Sequence, residues 1–420
     1  MNRIDDLPVI CVVGLGYIGL PTAAVLADHG FRVHGVELNP RAREIINRGK
    51  CHIIEPDLDR LVQRVVDSGH LEAFETPSFA DAFVLCVPTP VNHDRSADLT
   101  SVRDATLAIC PFLRPGNLVV LESTSPPGTT EMIAALVYEN TELRAGDIYF
   151  AHAPERVLPG SILREVIHND RVIGGIDDAS TDAAVRLYRS FVKGRIFPCH
   201  CRTAETVKLV ENASRDNQIA FANELSILCD KLAIDVRELI ELANRHPRVN
   251  ILQPGCGVGG HCIAVDPWFL IDKASKEFAL DLPMMRTARE TNDAKSSWVA
   301  DRVADHAAKL KNPVIACFGA AYKPDIDDLR ESPAVDIIQD LQARAVGEIL
   351  VVEPHVHHVE GLTLVTRAEA MRRADIVVFL VSHSEFRSIS DHELESKIMI
   401  DASGARYRSP FAFMALERRA

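Results

Sequence analysis

A chain of 420 residues, 47% hydrophobic and 25% charged, is too long for one hydrophobic core and has the composition of a globular protein with about two or three domains. Its formal net charge of −13 argues against a broad nucleic-acid surface, yet leaves room for an anionic small molecule held by local Lys and Arg. No apolar run approaches the ~20 residues of a membrane helix, Met1 to Asp6 carry no signal-peptide pattern, and the ten cysteines are scattered in apolar surroundings, so no membrane partner and a reducing cytoplasmic location are expected.

Val9 to Val13 is a short β-branched apolar run that leads into Gly14-Leu-Gly16-Tyr17-Ile18-Gly19 and then a helix through Ala27, with Pro21 tolerable in its first turn. A second strand, Phe31 to Val36, ends at Glu37. Glycine spacing alone is a weak signal. Placed after a strand, before a helix and about twenty residues ahead of an acid, it predicts a dinucleotide site. The glycines admit a pyrophosphate to the helix start, and Glu37 accepts from a ribose 2′-hydroxyl and repels a 2′-phosphate, so the cofactor expected is NAD.

Ala82 to Val87 and Asn117 to Leu121 read as further buried strands, which places Thr89 and Thr124 at their carboxyl ends, where ligands gather in a doubly wound sheet. Ser123 and Ser125 read as turn or cap hydroxyls. Tyr149 to Pro154 leads to Glu155-Arg156, and the acid there is either a loop charge or a site residue. From Ala204 to about Leu232 runs a long helical pattern. On it Lys208 and Asn212 are four apart and share a face, as a solvated pair normally would. Cys199-His200-Cys201 lacks a second pair at zinc spacing, so no metal is expected.

Asn250 to Trp268 holds Gly255, Gly257, Gly259 and Gly260 ahead of Cys262, then Asp266-Pro267. Such glycine density frees the backbone for positive φ and close ligand approach. Asp266-Pro267 reads as an N-cap and first helical position, which puts Cys262 before a helix start that favours a thiolate. The competing description is a turn around a buried, inert thiol. Beyond Lys311-Asn312-Pro313 the N-terminal pattern recurs in Val314 to Phe318, Glu348 to Val352 ending at Glu353, Ile376 to Val381 and Lys397 to Ile400. The first turn of this second sheet lacks the full glycine set and carries Lys323 and Arg330, which suits a phosphorylated ligand other than the dinucleotide.

The expected architecture is therefore α/β: two Rossmann-like doubly wound domains joined by a long central helix and a helical linker region. The domains span 1–203, 204–310 and 311–420. With NAD in one domain, cations for a phosphorylated compound in another and a presented thiol between them in sequence, the chemistry expected is oxidation of an alcohol to an acid in two hydride steps, Cys262 holding the intermediate aldehyde.

Six motifs carry a resemblance over nearly the whole chain: Val12 to Pro21, Glu122 to Thr130, Ala153 to Arg156, Lys208 with Asn212, Gly259 to Pro267, and Tyr322-Lys-Pro-Asp with Leu329 to Pro333. Together they resemble the UDP-glucose/GDP-mannose 6-dehydrogenases. The resemblance implies Cys262 as nucleophile and Lys208 as the cation that stabilises oxyanion charge. Asn212 and Asp266 would orient water or bond the sugar, Glu155 would assist thioester hydrolysis, and Thr124 would touch the nicotinamide side or a catalytic water. Gly14, Gly16, Tyr17, Ile18, Gly19, Glu37, Thr89, Thr124 and Arg330 would hold NAD. Glu155, Arg156, Lys208, Asn212, Gly259 and Lys323 would hold the substrate, with Arg248 reaching that of a neighbouring subunit in a homodimer built on the central helix. UDP-glucose members carry a second Glu four residues after the first, and here that position is Pro159. Pro159 and the run His246 to Gly255 point to a UDP-N-acetylhexosamine, UDP-N-acetyl-D-mannosamine favoured. The alternatives are a UDP-N-acetyl-D-glucosamine 6-dehydrogenase and a catalytically silent NAD- or nucleotide-sugar-binding module.

Overall fold

The computed structural model describes residues 8–53, 55–157, 160–260 and 262–410. Pro159 and His261, both part of the motifs above, lie outside the described residues. Two compact units emerge: Met1–Glu211 with Trp268–Leu280, and Asn212–Pro267 with Asp281–Ala420.

The first unit opens with β1 (Val9–Val13), α1 (Gly19–Asp28), β2 (Arg32–Val36), α2 (Pro40–Asn47), α3 (Leu58–Asp67), β3 (Leu71–Phe74), β4 (Ala82–Leu85), α4 (Thr100–Ile109) and β5 (Leu118–Leu121). It continues through α5 (Thr129–Asn140), β6 (Tyr149–His152), α6 (Ile162–His168), β7 (Arg171–Gly175), α7 (Asp178–Arg189) and β8 (Ile196–His200). Among the described residues these strands form one sheet in the order β3-β2-β1-β4-β5-β6-β7-β8, parallel except between β6 and β7. The order reverses beside β1, and the crevice at such a switch point is where ligands bind. Alternate residues of one strand enter different cores: Ile10, Val12, Val84 and Val120 pack with α1, α3 and α6, whereas Cys11, Val13, Phe83, Leu85 and Leu121 pack with α4 and α5. Burial on both faces is why these strands read as continuous apolar runs.

Helix α8 (Cys201–Leu232) runs on from β8, followed by α9 (Val236–Ala243), α10 (Asp266–Phe278) and α11 (Pro283–Ala307). The second sheet comprises β9 (Val314–Phe318), β10 (Glu348–Val352), β11 (Ile376–Phe379) and β12 (Ile398–Asp401), with α12 (Pro333–Ala343) after β9, α13 (Arg367–Arg373) after β10 and α14 (Asp391–Leu394) before β12. It is fully parallel in the order β10-β9-β11-β12. The α/β architecture with two doubly wound sheets and a long central helix is thus as read from the sequence.

The pattern reading passed over β3, β7, β8 and α11. Strands β3 and β8 are sheet edges, one alternating buried Leu71 and Ala73 with exposed Glu72 and Phe74, the other tolerating Pro198. Helix α11 buries Arg289, Asn292 and Lys295 at intervals of three, so its inner face carries charge where periodicity looks for apolar residues. Arg289 and Asn292 are linked in a chain of hydrogen bonds, although Arg289 Nε finds no partner, and Lys295 Nζ donates separately to Ser226 Oγ at 2.7 Å. Arg289 Nη1 pairs with Asp216 Oδ1 at 2.6 Å, Asn292 Nδ2 donates to the same oxygen at 2.8 Å, Asn223 Nδ2 donates to Asn292 Oδ1 at 2.9 Å, and Gly255 N donates to Asn223 Oδ1 at 2.9 Å.

His152 ends β6 with 0% exposure, and neither ring nitrogen makes a hydrogen bond of ordinary geometry. Burial, aided by the Lys208 charge, lowers its pKa from 6.5 to about 3. Between those values only the unfolded chain takes the proton, so stability falls as pH falls through 6.5. Going from pH 7.5 to pH 5, this one group should cost the native state roughly 2 kcal/mol. Chemical denaturation should show that loss in the wild type, and His152→Gln should have a shallower acid slope by that amount. Equal slopes would mean that His152 is charged in the fold.

Candidate functional site

In the first unit each motif glycine has a separate reason. Gly14 follows β1 at φ +90°, and a Cβ there would lie 2.7 Å from the Cys86 carbonyl oxygen. A Cβ on Gly19 would lie 1.8 Å from Gly14 O, so α1 can start this close to the strand only with glycine. Gly16 is different: nothing lies within 4 Å of its Cβ position, which leaves the backbone open to a ligand rather than closed by packing. That opening faces the start of a helix, whose free amides favour an anion. Exposed Tyr17 and half-buried Ile18 flank it. Glu37 is placed by two amides, Leu15 N at 3.2 Å on Oε2 and Asn39 N at 2.9 Å on Oε1. These features fit the pyrophosphate and ribose of a dinucleotide.

At the next strand ends Thr89 Oγ1 donates to Thr124 O at 2.6 Å, which ties the β4 and β5 loops together. Ser123 Oγ donates to Val87 O at 2.7 Å, 36 residues away in sequence, so it bridges two strand ends and does not make the local turn or cap read for it. Glu205 of α8 accepts from Gly128 N at 2.6 Å and from Thr130 N and Oγ1 at 2.7 and 2.6 Å, so the helix that carries half-buried Lys208 is pinned to the loop after β5.

Glu155 is a buried charge and not a loop charge. At 3% exposure it pairs with Arg171 Nη2 at 2.5 Å and accepts from Arg156 N at 2.8 Å. Arg156 itself reaches Glu211 at 2.6 Å and Asp170 O at 2.5 Å. Next to this pair lies a second buried acid, Glu122, bonded by Tyr188 OH at 2.5 Å, Thr22 Oγ1 at 3.1 Å and Cys86 Sγ at 3.2 Å. Burial raises the pKa of Glu122, the Arg171 charge opposes that rise, and the Glu155 charge adds to it. Sequence reasoning missed Glu122, Arg171, Tyr188 and Glu205. The available signal was an acid directly after the apolar run Leu118 to Leu121; the others gave none.

In the second unit the glycine-rich segment separates two cysteines. Cys256 is buried, bonds Leu380 O at 3.3 Å and has its thiol pushed up to about 12 by burial, which removes it as a nucleophile. Cys262 is half-buried in the turn that opens α10, where its carbonyl accepts from Val265 N at 3.1 Å and Asp266 N at 2.8 Å. The helix takes Asp266 as its first residue, one position later in the helical scheme than the N-cap read from sequence. The Asp266 carboxylate accepts from Asn212 Nδ2 at 2.6 Å, so these two are brought together. Gly259 and Gly260 pack on the 322–333 loop: Cβ atoms there would fall 2.3 Å from Glu331 O and 2.8 Å from the Tyr322 ring.

Lys323 is exposed on that loop, with its Nζ 5.4 Å from the Tyr322 ring centroid, and exposed Arg330 pairs with Asp328 at 2.7 Å. Arg248 is exposed in the turn after α9. By unit, Glu155, Arg156, Lys208, Thr89 and Thr124 fall in the first, and Asn212, Arg248, Gly259, Cys262, Asp266, Lys323 and Arg330 in the second.

Among the described residues two clusters carry metal-ligating atoms within 4.8 Å of one another, Glu131–His200–Cys201 and Asp325–His355–His383. In the first, Glu131 pairs with Arg202 at 2.6 Å, and burial pushes the Cys201 thiol up to about 12. In the second, Asp325 N donates to His383 Nδ1 at 2.9 Å and the other ring nitrogen meets Glu353 at 3.1 Å, which leaves His383 no lone pair for an ion.

Sequence comparison matches three successive domains of one family: the NAD binding domain of the UDP-glucose/GDP-mannose dehydrogenase family over residues 9–192, its central domain over 202–294 and its UDP binding domain over 316–406. The chain is 51% identical over 411 residues to the NDP-N-acetyl-D-galactosaminuronic acid dehydrogenase of Ralstonia nicotianae, covering 95% of this chain and 96% of that protein. It is 50% identical over 412 residues to the UDP-N-acetyl-D-mannosamine dehydrogenase of Campylobacter jejuni, covering 94% and 100%. Among solved structures, the UDP-D-ManNAc dehydrogenase of Pyrococcus horikoshii superposes with a TM-score of 0.88 at 39% identity, covering 96% of this chain and 97% of that one. Matched across all three domains, with a glycine turn and an acid that suit NAD, the chain belongs to the UDP-glucose/GDP-mannose dehydrogenase family as an NAD-dependent UDP-sugar dehydrogenase.

Proposed function

We propose that the enzyme oxidises the C6 hydroxyl of a UDP-N-acetylhexosamine, UDP-N-acetyl-D-mannosamine in the first place, to the uronic acid. The observation that carries this reading is the contrast within the glycine-rich segment, where Cys256 is packed away and Cys262 stands at a helix start four residues before Asp266 and its partner Asn212. The N-acetyl sugar is favoured by the names of the Campylobacter and Pyrococcus relatives. A second reading, a UDP-N-acetylgalactosamine-type substrate, is favoured by the name of the Ralstonia relative.

Roles are assigned residue by residue. NAD, held by the Gly14 to Gly19 turn, Glu37, Thr89, Thr124 and Arg330, supplies the hydride acceptor, with two molecules reduced per turnover. Once C6 is an aldehyde, the Cys262 thiolate adds to it, a C–S bond forms, and the oxyanion is stabilised by the Lys208 ammonium until it takes a proton. The second oxidation of that carbon leaves a thioester. Asn212 and Asp266 orient a water, Glu155 takes its proton as the oxygen adds to the carbonyl, and the C–S bond breaks with the pair returning to sulfur. Arg156, Gly259 and Lys323 hold the nucleotide sugar, and Arg248 serves the substrate of a partner subunit. Pairing with Arg171 keeps Glu155 fixed for its task.

Cofactor reduction followed with UDP-N-acetylmannosamine, UDP-N-acetylgalactosamine, UDP-N-acetylglucosamine and UDP-glucose tests the substrate. The mannosamine compound should show a kcat/KM at least about tenfold above the rest. A galactosamine preference would establish the second reading, and comparable turnover of UDP-glucose would remove the N-acetyl assignment.

The chemistry is tested by trapping. Glu155→Gln should permit both oxidations and then stall, since losing a general base costs ~100- to 10,000-fold. A quenched sample should carry the sugar-nucleotide acyl mass on the Cys262 peptide, with retained NAD affinity showing that the variant is folded. Cys262→Ala should show no adduct and no sustained acid formation. Normal acid formation by Cys262→Ala would end the covalent mechanism.

The enzyme is also proposed to be a homodimer through α8. Phe221, Leu228 and Leu232 are 51%, 52% and 56% exposed, and with Leu225 they follow a four-three-four spacing along one face. An exposed apolar stripe of this kind is stabilised by a second copy. Light scattering should give twice the chain mass, falling to a monomer in Leu228→Asp; a monomeric wild type would exclude this interface.

A further inference from the structure

The second sheet repeats the first one's use of an acid, with one change. Glu37 accepts from an amide in the turn after β1 and from the amide two residues ahead of it. Glu353, at the same place after β10, accepts from Ala320 N at 2.7 Å and Ala321 N at 3.1 Å in the turn after β9, and from His355 N at 3.0 Å. The Glu353 side chain is 0% exposed, because His383, also 0% exposed, closes it with Nε2 at 3.1 Å from Oε2. A neutral imidazole has one donor and one acceptor. Since Nδ1 accepts from Asp325 N at 2.9 Å, Nε2 carries the proton and gives it to the carboxylate in a hydrogen bond.

Asp325 returns the contact, its Oδ1 accepting from Ser384 N at 2.8 Å and Ser384 Oγ at 3.0 Å. The 322–333 loop is thereby tied to the carboxyl end of β11 by reciprocal bonds. It needs such ties. Asp325 and Glu331 both sit in left-handed backbone, at φ +61° and +49°, a conformation that persists in non-glycine residues only where the surroundings impose it. The loop's other side supports the thiol segment, with Gly260 N donating to Arg330 O at 3.3 Å.

We propose that His383 is a positioning residue for the nucleotide sugar. By bridging Glu353 to Asp325 it holds the 322–333 loop in the shape that presents Lys323 to the diphosphate, and by closing Glu353 it denies the second sheet the ribose acceptor that Glu37 offers in the first. The sheet is thereby committed to a nucleotide sugar and closed to a second dinucleotide. This inference rests on the reading above that the loop holds the nucleotide.

The test measures UDP binding by calorimetry, with a cooperative circular-dichroism melt as the fold control. His383→Gln keeps one donor and one acceptor and should bind UDP within a few-fold of wild type. His383→Leu has neither and should weaken UDP by at least about tenfold, as expected when a buried donor–acceptor bridge is lost, while still melting cooperatively. Asp325→Gly removes the reciprocal anchor without backbone strain and should weaken UDP several-fold, which keeps the test decisive if His383→Leu does not fold. Unchanged UDP affinity in His383→Leu, or in Asp325→Gly where the first is unfolded, overturns the inference. Failure of the underlying reading has a different signature: Lys323→Ala would bind UDP as the wild type does.

Discussion

An amide at the carboxyl end of a parallel strand has no neighbouring strand to accept it, and buried amides must find partners. In both sheets a carboxylate just past the next strand supplies the acceptor: Glu37, after β2, for the turn after β1, and Glu353, after β10, for the turn after β9. The ligand-facing turns depend on this constraint, because it sets where the backbone stands before any ligand arrives. What differs is the remaining capacity of the acid. Glu37 keeps part of its surface, whereas Glu353 has every oxygen engaged and none exposed.

Buried charge is concentrated where the chemistry is assigned. A carboxylate taken out of water needs a counter-charge or a proton. Glu155 has the first in Arg171; at Glu122 burial raises the pKa, and the Arg171 charge and the Tyr188 and Cys86 hydrogen bonds act against that rise. In the second unit Asp216 and Arg289 are a comparable pair, 0% and 2% exposed, and their network ends on the amide of Gly255. The glycine-rich segment is therefore free in composition yet held at a chosen point, with Cys256 as an anchor and Cys262 beyond it.

Much of the fold was legible in the sequence because its main strands are buried on both faces. Val9 to Val13, Leu118 to Leu121 and Val314 to Phe318 could be read as apolar runs, and the glycines, Glu37, the thiol segment and the Lys323 loop stood out by residue type. Edge strands β3 and β8 and the polar-faced helix α11 escaped, since half-exposure and buried charge blur the same signal.

By itself the sequence determined the two α/β sheets, the glycine turn with its acid, and the presence of thiols, Cys256 and Cys262, in a segment too rich in glycine for ordinary packing. Only the tertiary structure decided that Glu155 is buried against Arg171, that Glu122 and Tyr188 lie beside it, that Cys256 and not Cys262 is the packed cysteine, and that His383 seals Glu353. The physical reason is separation along the chain. Periodicity and residue type report interactions within a turn or a strand, whereas a buried charge is defined by partners that only folding brings together, such as the 66 residues between Glu122 and Tyr188.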